Sequence, residues 1–290
     1  MINSGFANFR HAVERRLLPQ RILHTLQISR ERRALAALEQ QSCVVSALRN
    51  ADDATVKGWF TADLGAEWRQ VELKMAPIKF GGEAGAVNPG DRRALYYLAR
   101  ALRPSSVLEI GTHVGASTSM LALALRQLHV RPSEVNPKLV TVDITDVNDP
   151  LAGAWQRLGC SHSPADVMRA IGCQDLVTFV TSPSVPYLRN CKDRFDLIFL
   201  DGDHYATTVY QEFPEALRLL NPGGIILLHD YFPDLQPLWP DVQVIPGPDL
   251  AIARLRRENV PIAVRPFGGL PWPTKLGSNV SSLAVVCRTQ

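Results

Sequence analysis

The stretch Val107-Leu-Glu-Ile-Gly-Thr-His-Val-Gly-Ala-Ser-Thr118 decides how the rest of the chain is read. A short, mostly apolar run turns through two glycines four residues apart and continues into Met120-Leu-Ala-Leu-Ala-Leu-Arg126. This order predicts a buried strand, a tight turn and a helix start, the first unit of an open α/β sheet. Gly111 and Gly115 let the backbone bend and approach a ligand with no Cβ in the way. Ser117 and Thr118 fall where a new helix offers unpaired N–H groups and the positive end of its dipole, so a polar or anionic group can lie on the turn.

The spacing narrows the ligand. A dinucleotide fingerprint reads G-x-G-x-x-G, with a third glycine for helix–strand packing. Here the order is Glu109-x-Gly111-x-x-x-Gly115-x-Ser117. An acid two residues before the first glycine favours a ligand with a cationic end, such as an amino acid moiety. Leu139-Val-Thr-Val-Asp143 reads as the second strand, ending in an acid about 30 residues after the turn. A carboxylate at that tip accepts both hydroxyls of a ribose. Asp143 therefore points to a nucleoside without choosing between a nicotinamide dinucleotide and another nucleoside ligand.

Two further strands carry chemistry at their ends. Arg194-Phe-Asp-Leu-Ile-Phe-Leu-Asp-Gly-Asp-His-Tyr205 holds a continuous apolar run, as a strand buried on both faces should. Asp201, Asp203 and His204 follow within four residues. Leu220-Asn-Pro-Gly-Gly224 then turns into Ile225-Ile-Leu-Leu228, which ends in His229-Asp230-Tyr231. Open α/β folds place chemistry at the carboxyl ends of their central strands. Asp201, His229 and Asp230 thus form a candidate divalent-metal set: oxygen ligands suit Mg²⁺, and an imidazole shifts preference toward Mn²⁺, Fe²⁺ or Zn²⁺.

Together these motifs, from about Ser105 to Tyr231, resemble those of class I S-adenosylmethionine (SAM) O-methyltransferases of the catechol and macrocin groups. The resemblance implies a doubly wound α/β fold with a seven-stranded Rossmann-like methyltransferase sheet. It implies SAM as cofactor, bound by Glu109, Gly111, Thr112, Gly115, Ser117, Asp143, Ser182 and Asp201, with Ser182 at the adenine. It implies a metal at Asp201, with His229 and Asp230 in the positions where relatives carry an acid pair or Asp-Asn. That departure makes a weaker, different or absent metal part of the expectation. The general base falls on Asp203 in one alignment and on His204 in the other; His204 has the better intrinsic pKa near neutrality. The expected reaction is methyl transfer to a small-molecule hydroxyl. An NAD(P)-dependent oxidoreductase and a non-catalytic SAM-binding protein stand as rival readings.

The flanks are less specific. Residues 1–75 read as a helical N-terminal arm, with helical spacing from Phe6 to Leu18, an interruption at Pro19 and a second helix from Ile22 to Gln41. The arm is dense in arginine and suits a lid or a dimer contact. The methyltransferase domain is expected over 76–290, with Met75 and Gly81 as cofactor neighbours and Trp239 and Trp272 as walls of an acceptor pocket. Among 290 residues, 46% are hydrophobic and 20% charged, an ordinary globular balance. A net charge of +3 and sparse aromatics among the arginines argue against a nucleic-acid partner. No apolar run reaches the roughly 18–20 residues of a membrane helix, and no secretory signal is evident. Five scattered cysteines without C-x-x-C pairs fit reduced thiols in a cytoplasmic protein.

Overall fold

The computed structural model describes residues 20–80, 86–128, 137–240, 243–275 and 277–289. The expected helix from Phe6 to Leu18 and the expected cofactor neighbour Gly81 lie outside these residues. Seven strands form one sheet: β1 (Ser106–Ile110), β2 (Lys138–Asp143), β3 (Val177–Thr181), β4 (Phe195–Leu200), β5 (Leu220–Leu228), β6 (Ile262–Gly269) and β7 (Val280–Arg288). Their order is β3-β2-β1-β4-β5-β7-β6. The first five strands are parallel, and β7 runs antiparallel to both β5 and β6. The order reverses at β1, and β1 and β4 are side by side, which opens a crevice at their carboxyl ends.

Strand alternation explains the two layers. Val107, Leu197, Phe199, Ile225 and Leu227 enter one core with helices α2 (Asp53–Gly58), α3 (Gly65–Met75), α4 (Pro89–Leu102) and α5 (Ala116–Leu128). Leu108, Ile110, Ile198, Leu200, Ile226 and Leu228 enter the other. That second core lies under α1 (Gln20–Ala36), α9 (Ala206–Leu219) and α10 (Gly247–Arg257). Short helices α6 (Ala154–Arg157), α7 (Pro164–Ala170) and α8 (Ser184–Asn190) complete the crossovers. Both faces of the central strands are covered, which is why they read as unbroken apolar runs. The Asn-Pro-Gly-Gly segment does not stop β5: Leu220 pairs with Phe195, Ile225 pairs with Leu197, and the intervening residues form a register shift.

Much of the N-terminal segment packs into this body. Val56, Trp59, Phe60, Trp68, Val71 and Ile78 are buried in the first core. Leu35, Val45 and Leu48 are buried in the second. The Glu67 carboxylate takes hydrogen bonds from Tyr96 at 2.5 Å and from Arg100 at 2.6 and 3.0 Å. Among the described residues no helix is long and apolar enough to cross a membrane.

Gly111 shows what the glycine turn is for. Its φ is +99°, and a Cβ there would sit 2.1 Å from the Asp201 carbonyl oxygen. The turn after β1 therefore rests directly on the end of β4, and only glycine permits that approach. Gly111→Ala is expected to cost roughly 2 kcal/mol or more, from strain plus the forced displacement. Urea unfolding monitored by circular dichroism measures it; a loss within experimental error would show that the strand ends are not held this closely.

Candidate active site

The carboxyl ends of β1, β2, β4 and β5 open into a cavity of about 890 Å³. The turn after β1 forms one side. Gly111, Thr112, His113 and Ser117 line it, whereas Glu109 and Gly115 do not. Glu109 lies beneath, wholly buried, and its Oε2 accepts hydrogen bonds from Thr118 at 2.5 Å and Thr141 at 2.7 Å. Thr112 and Thr141 share a hydroxyl contact at 2.6 Å, which ties the turn to β2. Burial pushes the Glu109 carboxyl up to about 7, against the pull of the Ser117, Thr118 and Thr141 hydroxyls and with added repulsion from Asp201.

Asp143 sits at the tip of β2 as expected and lines the cavity. Its Oδ2 accepts the His113 N–H at 2.9 Å, and its Oδ1 accepts the Thr145 N–H and hydroxyl, both at 3.1 Å. Oδ1 thus already accepts two hydrogen bonds, and Oδ2 keeps capacity for a further donor. Next to it, Ile144 lines the cavity while 71% exposed, an apolar surface left open among the described residues. Ser182 also lines the cavity, but it does not cap α8; the N-cap is Pro183, and the Ser182 hydroxyl donates to the Pro183 carbonyl at 3.1 Å.

The other side gathers titratable groups from the ends of β4 and β5. His204 Nε2 lies 3.5 Å from Asp230 Oδ2 and 3.8 Å from Asp201 Oδ1, distances that need a small closure to become hydrogen bonds. Asp203 is differently engaged. Its Oδ1 accepts the Tyr205 N–H at 3.1 Å and its Oδ2 the Thr208 hydroxyl at 2.7 Å, so both oxygens serve the start of α9. Asp230 has a φ of +50° and His113 one of +48°, a strained left-handed backbone for non-glycine residues on the cavity wall.

Asp201, His229 and Asp230 do come together, but not as an open ligand set. His229 is buried, with Nδ1 2.9 Å from Asp201 Oδ1 and 3.5 Å from Asp230 Oδ1. Its Nε2 lies 3.7 Å from Asp91 Oδ2. Burial alone would lower the pKa of this ring, yet the Asp201 and Asp230 carboxylates override it and hold the ring well above the ordinary histidine range. An imidazolium flanked by acids has no lone pair for a metal and already supplies the positive charge between them. Among the described residues no three His, Cys, Asp or Glu side chains are disposed to hold one.

Two participants escape sequence reading. Asp91 is wholly buried in the first turn of α4, takes a hydrogen bond from Asn88 at 2.7 Å and leaves Oδ1 without a partner. A charged residue in line with the apolar positions Leu95, Leu98 and Leu102 is the signal that could have found it. Ser282, from β7, lies 3.4 Å from Asp91 and Asp230 and 3.5 Å from His229; nothing local marks it. Of the two expected pocket tryptophans, Trp239 lines the cavity. Trp272 is absent from that lining: it packs on Phe60 and Tyr97 and donates to the Gly90 carbonyl at 2.9 Å, pinning its loop to α4. The loop still reaches the site through Lys275, because β6 runs with the parallel strands and returns at their carboxyl edge.

Comparison with known proteins agrees with this geometry. Residues 108–231 match the family described as a methyltransferase domain. A protein of Mycobacterium sp. strain JLS, provisionally named an O-methyltransferase, is 30% identical over 147 residues, 50% of this chain and 57% of that protein. Catechol O-methyltransferase of Niastella koreensis is 29% identical over 158 residues, 53% of this chain and 62% of its own. The chain thus spans less than two thirds of the length of these curated relatives. The O-methyltransferase TomG of Streptomyces achromogenes, solved in complex with SAM, superposes with a TM-score of 0.50 at 16% identity, covering 94% of this chain and all of that one. Residues 108–231 are thus similar to a methyltransferase domain, and the sheet around them has the Rossmann-like fold of the O-methyltransferase that superposes on it.

The raised Glu109 carboxyl has a pH consequence. Folding favours its protonated form, so its contribution to stability is complete below pH 4.5 and is lost as pH rises through about 7. Glu109→Gln removes this dependence. The variant is expected to gain on the wild type between pH 5 and pH 8, by an order of ~3 kcal/mol at most. Thermal melts across that range check it; parallel pH profiles for the two proteins would contradict it.

Proposed function

We propose that the protein is a SAM-dependent O-methyltransferase acting on a small-molecule hydroxyl without a metal. The observation that carries this is the meeting, across one cavity, of the Gly111 turn and Asp143 with the His204–Asp230 pair. On this reading the ribose lies on Asp143, the adenine between Ile144 and Ser182, and the amino acid end over Gly111, Thr112 and Ser117. Glu109 acts from below by holding Thr118 and Thr141 in place. SAM, when bound, supplies an activated methyl on a sulfonium.

The chain's own task is positioning and proton removal. The acceptor hydroxyl sits beside His204, with Phe232 and Trp239 forming apolar walls. His204 takes the hydroxyl proton at one ring nitrogen, and Asp230 steadies the imidazolium formed. SAM would supply the methyl group to the freed oxygen, and S-adenosylhomocysteine would be the other product. Most of the acceleration comes from holding oxygen, carbon and sulfur in line. His204 is favoured over Asp203 because its intrinsic pKa lies near neutrality, whereas each Asp203 oxygen already accepts a hydrogen bond that holds the carboxylate at the start of α9. On this reading His229 supplies the positive charge beside Asp201 and Asp230, so no step requires a metal.

Calorimetric titration with S-adenosylhomocysteine is expected to give micromolar binding, with no heat from NAD⁺. Binding of NAD⁺ instead would favour an oxidoreductase and sink this reading. With catechol among a panel of phenols as acceptors, His204→Ala should lower turnover about 10²- to 10⁴-fold, while Asp203→Asn changes it far less. Turnover should survive EDTA and gain nothing from Mg²⁺ or Mn²⁺. Loss of activity in chelator, restored by either ion, would contradict the assignment of His229.

A further inference from the structure

The loop that carries His204 is held from outside the cavity by a residue of the N-terminal helix. Glu31, in the second half of α1, is 6% exposed. Its Oε2 accepts the Ala206 N–H at 2.9 Å, and its Oε1 accepts from Gln27 at 3.1 Å. Ala206 is the first residue of α9 and lies two positions after His204. Tyr205, the N-cap of that helix, makes no side-chain capping bond, so the N-terminal helix supplies what the local sequence omits. Gly247 of α10 presses on the same turn: a Cβ there would lie 1.8 Å from the His204 carbonyl oxygen and 2.7 Å from the Ala206 nitrogen.

The helix that brings Glu31 is itself anchored. Arg254 donates to the carbonyls of Leu35 and, at 2.8 Å, Leu38. Its guanidinium also lies 4.1 Å from the centre of the Tyr210 ring. Burial raises the Glu31 carboxyl, the Ala206 N–H and Gln27 pull it down, and the neighbouring Asp203 charge raises it again. A buried carboxylate beside a second carboxylate is a costly helix cap, when Ser or Asn at position 205 would cap locally. Its distinguishing effect is to immobilise the peptide units on which His204 is mounted.

We propose that Glu31 is a positioning residue for His204, clamping residues 204–206 against Gly247 so that the ring keeps its place beside Asp230. The proposal rests on the reading of His204 as the general base and gives the N-terminal helix a role in the chemistry.

The test is made on the full-length protein by imidazole nitrogen–proton NMR and amide hydrogen exchange. In Glu31→Ala, exchange at Ala206 should accelerate about tenfold or more, by analogy with loss of a buried cap, and the His204 ring signals should shift or broaden. Glu31→Asp keeps the charge but withdraws it by one methylene, and should behave like the alanine variant; it also serves if that variant fails to fold. Glu31→Gln retains an acceptor and should restore wild-type signals. Val71→Ala, in the core on the other face of the sheet, controls for lost stability alone and should leave both signals unchanged. The clamp is refuted if Glu31→Ala and Glu31→Asp leave Ala206 and His204 as in wild type, or if Val71→Ala disturbs them equally. Methyl transfer in His204→Ala tests the underlying reading separately: retained turnover there removes the base, whereas unchanged spectra in the Glu31 variants remove the clamp.

Discussion

The carbonyl oxygen of Asp201 occupies the space where a side chain at position 111 would stand. Every other feature of the site depends on that contact. It sets the end of β4 against the turn after β1, and so brings the residues that suit a nucleoside within one cavity of those that suit proton transfer. The contact also explains why the acids cluster. Asp201 continues from β4, Asp230 from β5 and Asp143 ends β2, so the three carboxylates converge because the parallel strands end together. Fixing them there costs electrostatic energy, which the structure offsets in part with one buried imidazole.

That imidazole lies among three carboxylates. His229 faces Asp201 and Asp230 through one nitrogen and Asp91 through the other. A side chain supplies positive charge as a fixed part of the fold, whereas a metal must be bound from solution at a concentration-dependent cost. The strained backbone at His113 and Asp230 belongs to the same economy, since backbone strain persists where surrounding packing over-determines the conformation.

The N-terminal segment is tied to the body more closely than its arginine-rich composition suggests. Trp59, Phe60 and Trp68 complete one core, and Leu35 the other. The first core holds the aromatic cluster in which the Arg93 guanidinium lies 4.3 Å from the centre of the Trp272 ring and 5.2 Å from those of Trp68 and Tyr97. The loops around the cavity are thus anchored by contacts with residues far upstream.

Local pattern alone was enough to identify the βα unit at Val107–Thr118, the strands ending in Asp143, Asp201 and Asp230, and the helices around them. These features arise from short-range causes: apolar runs that fit a doubly covered strand, glycines where φ must be positive, and acids at strand tips. The same pattern placed Glu109 and Gly115 with the ligand-facing residues, because spacing does not tell a residue lining a cavity from one lying beneath it. It favoured His204 over Asp203 only through intrinsic pKa, since the fold alone reveals that both Asp203 oxygens accept hydrogen bonds from the start of α9. Asp91, Ser282 and Glu31 lie far in sequence from the residues they touch, so their parts were decided by tertiary structure alone. The physical reason is that burial, the partner of a carboxylate and the charge of a histidine are properties of long-range neighbours, and chain order does not carry them.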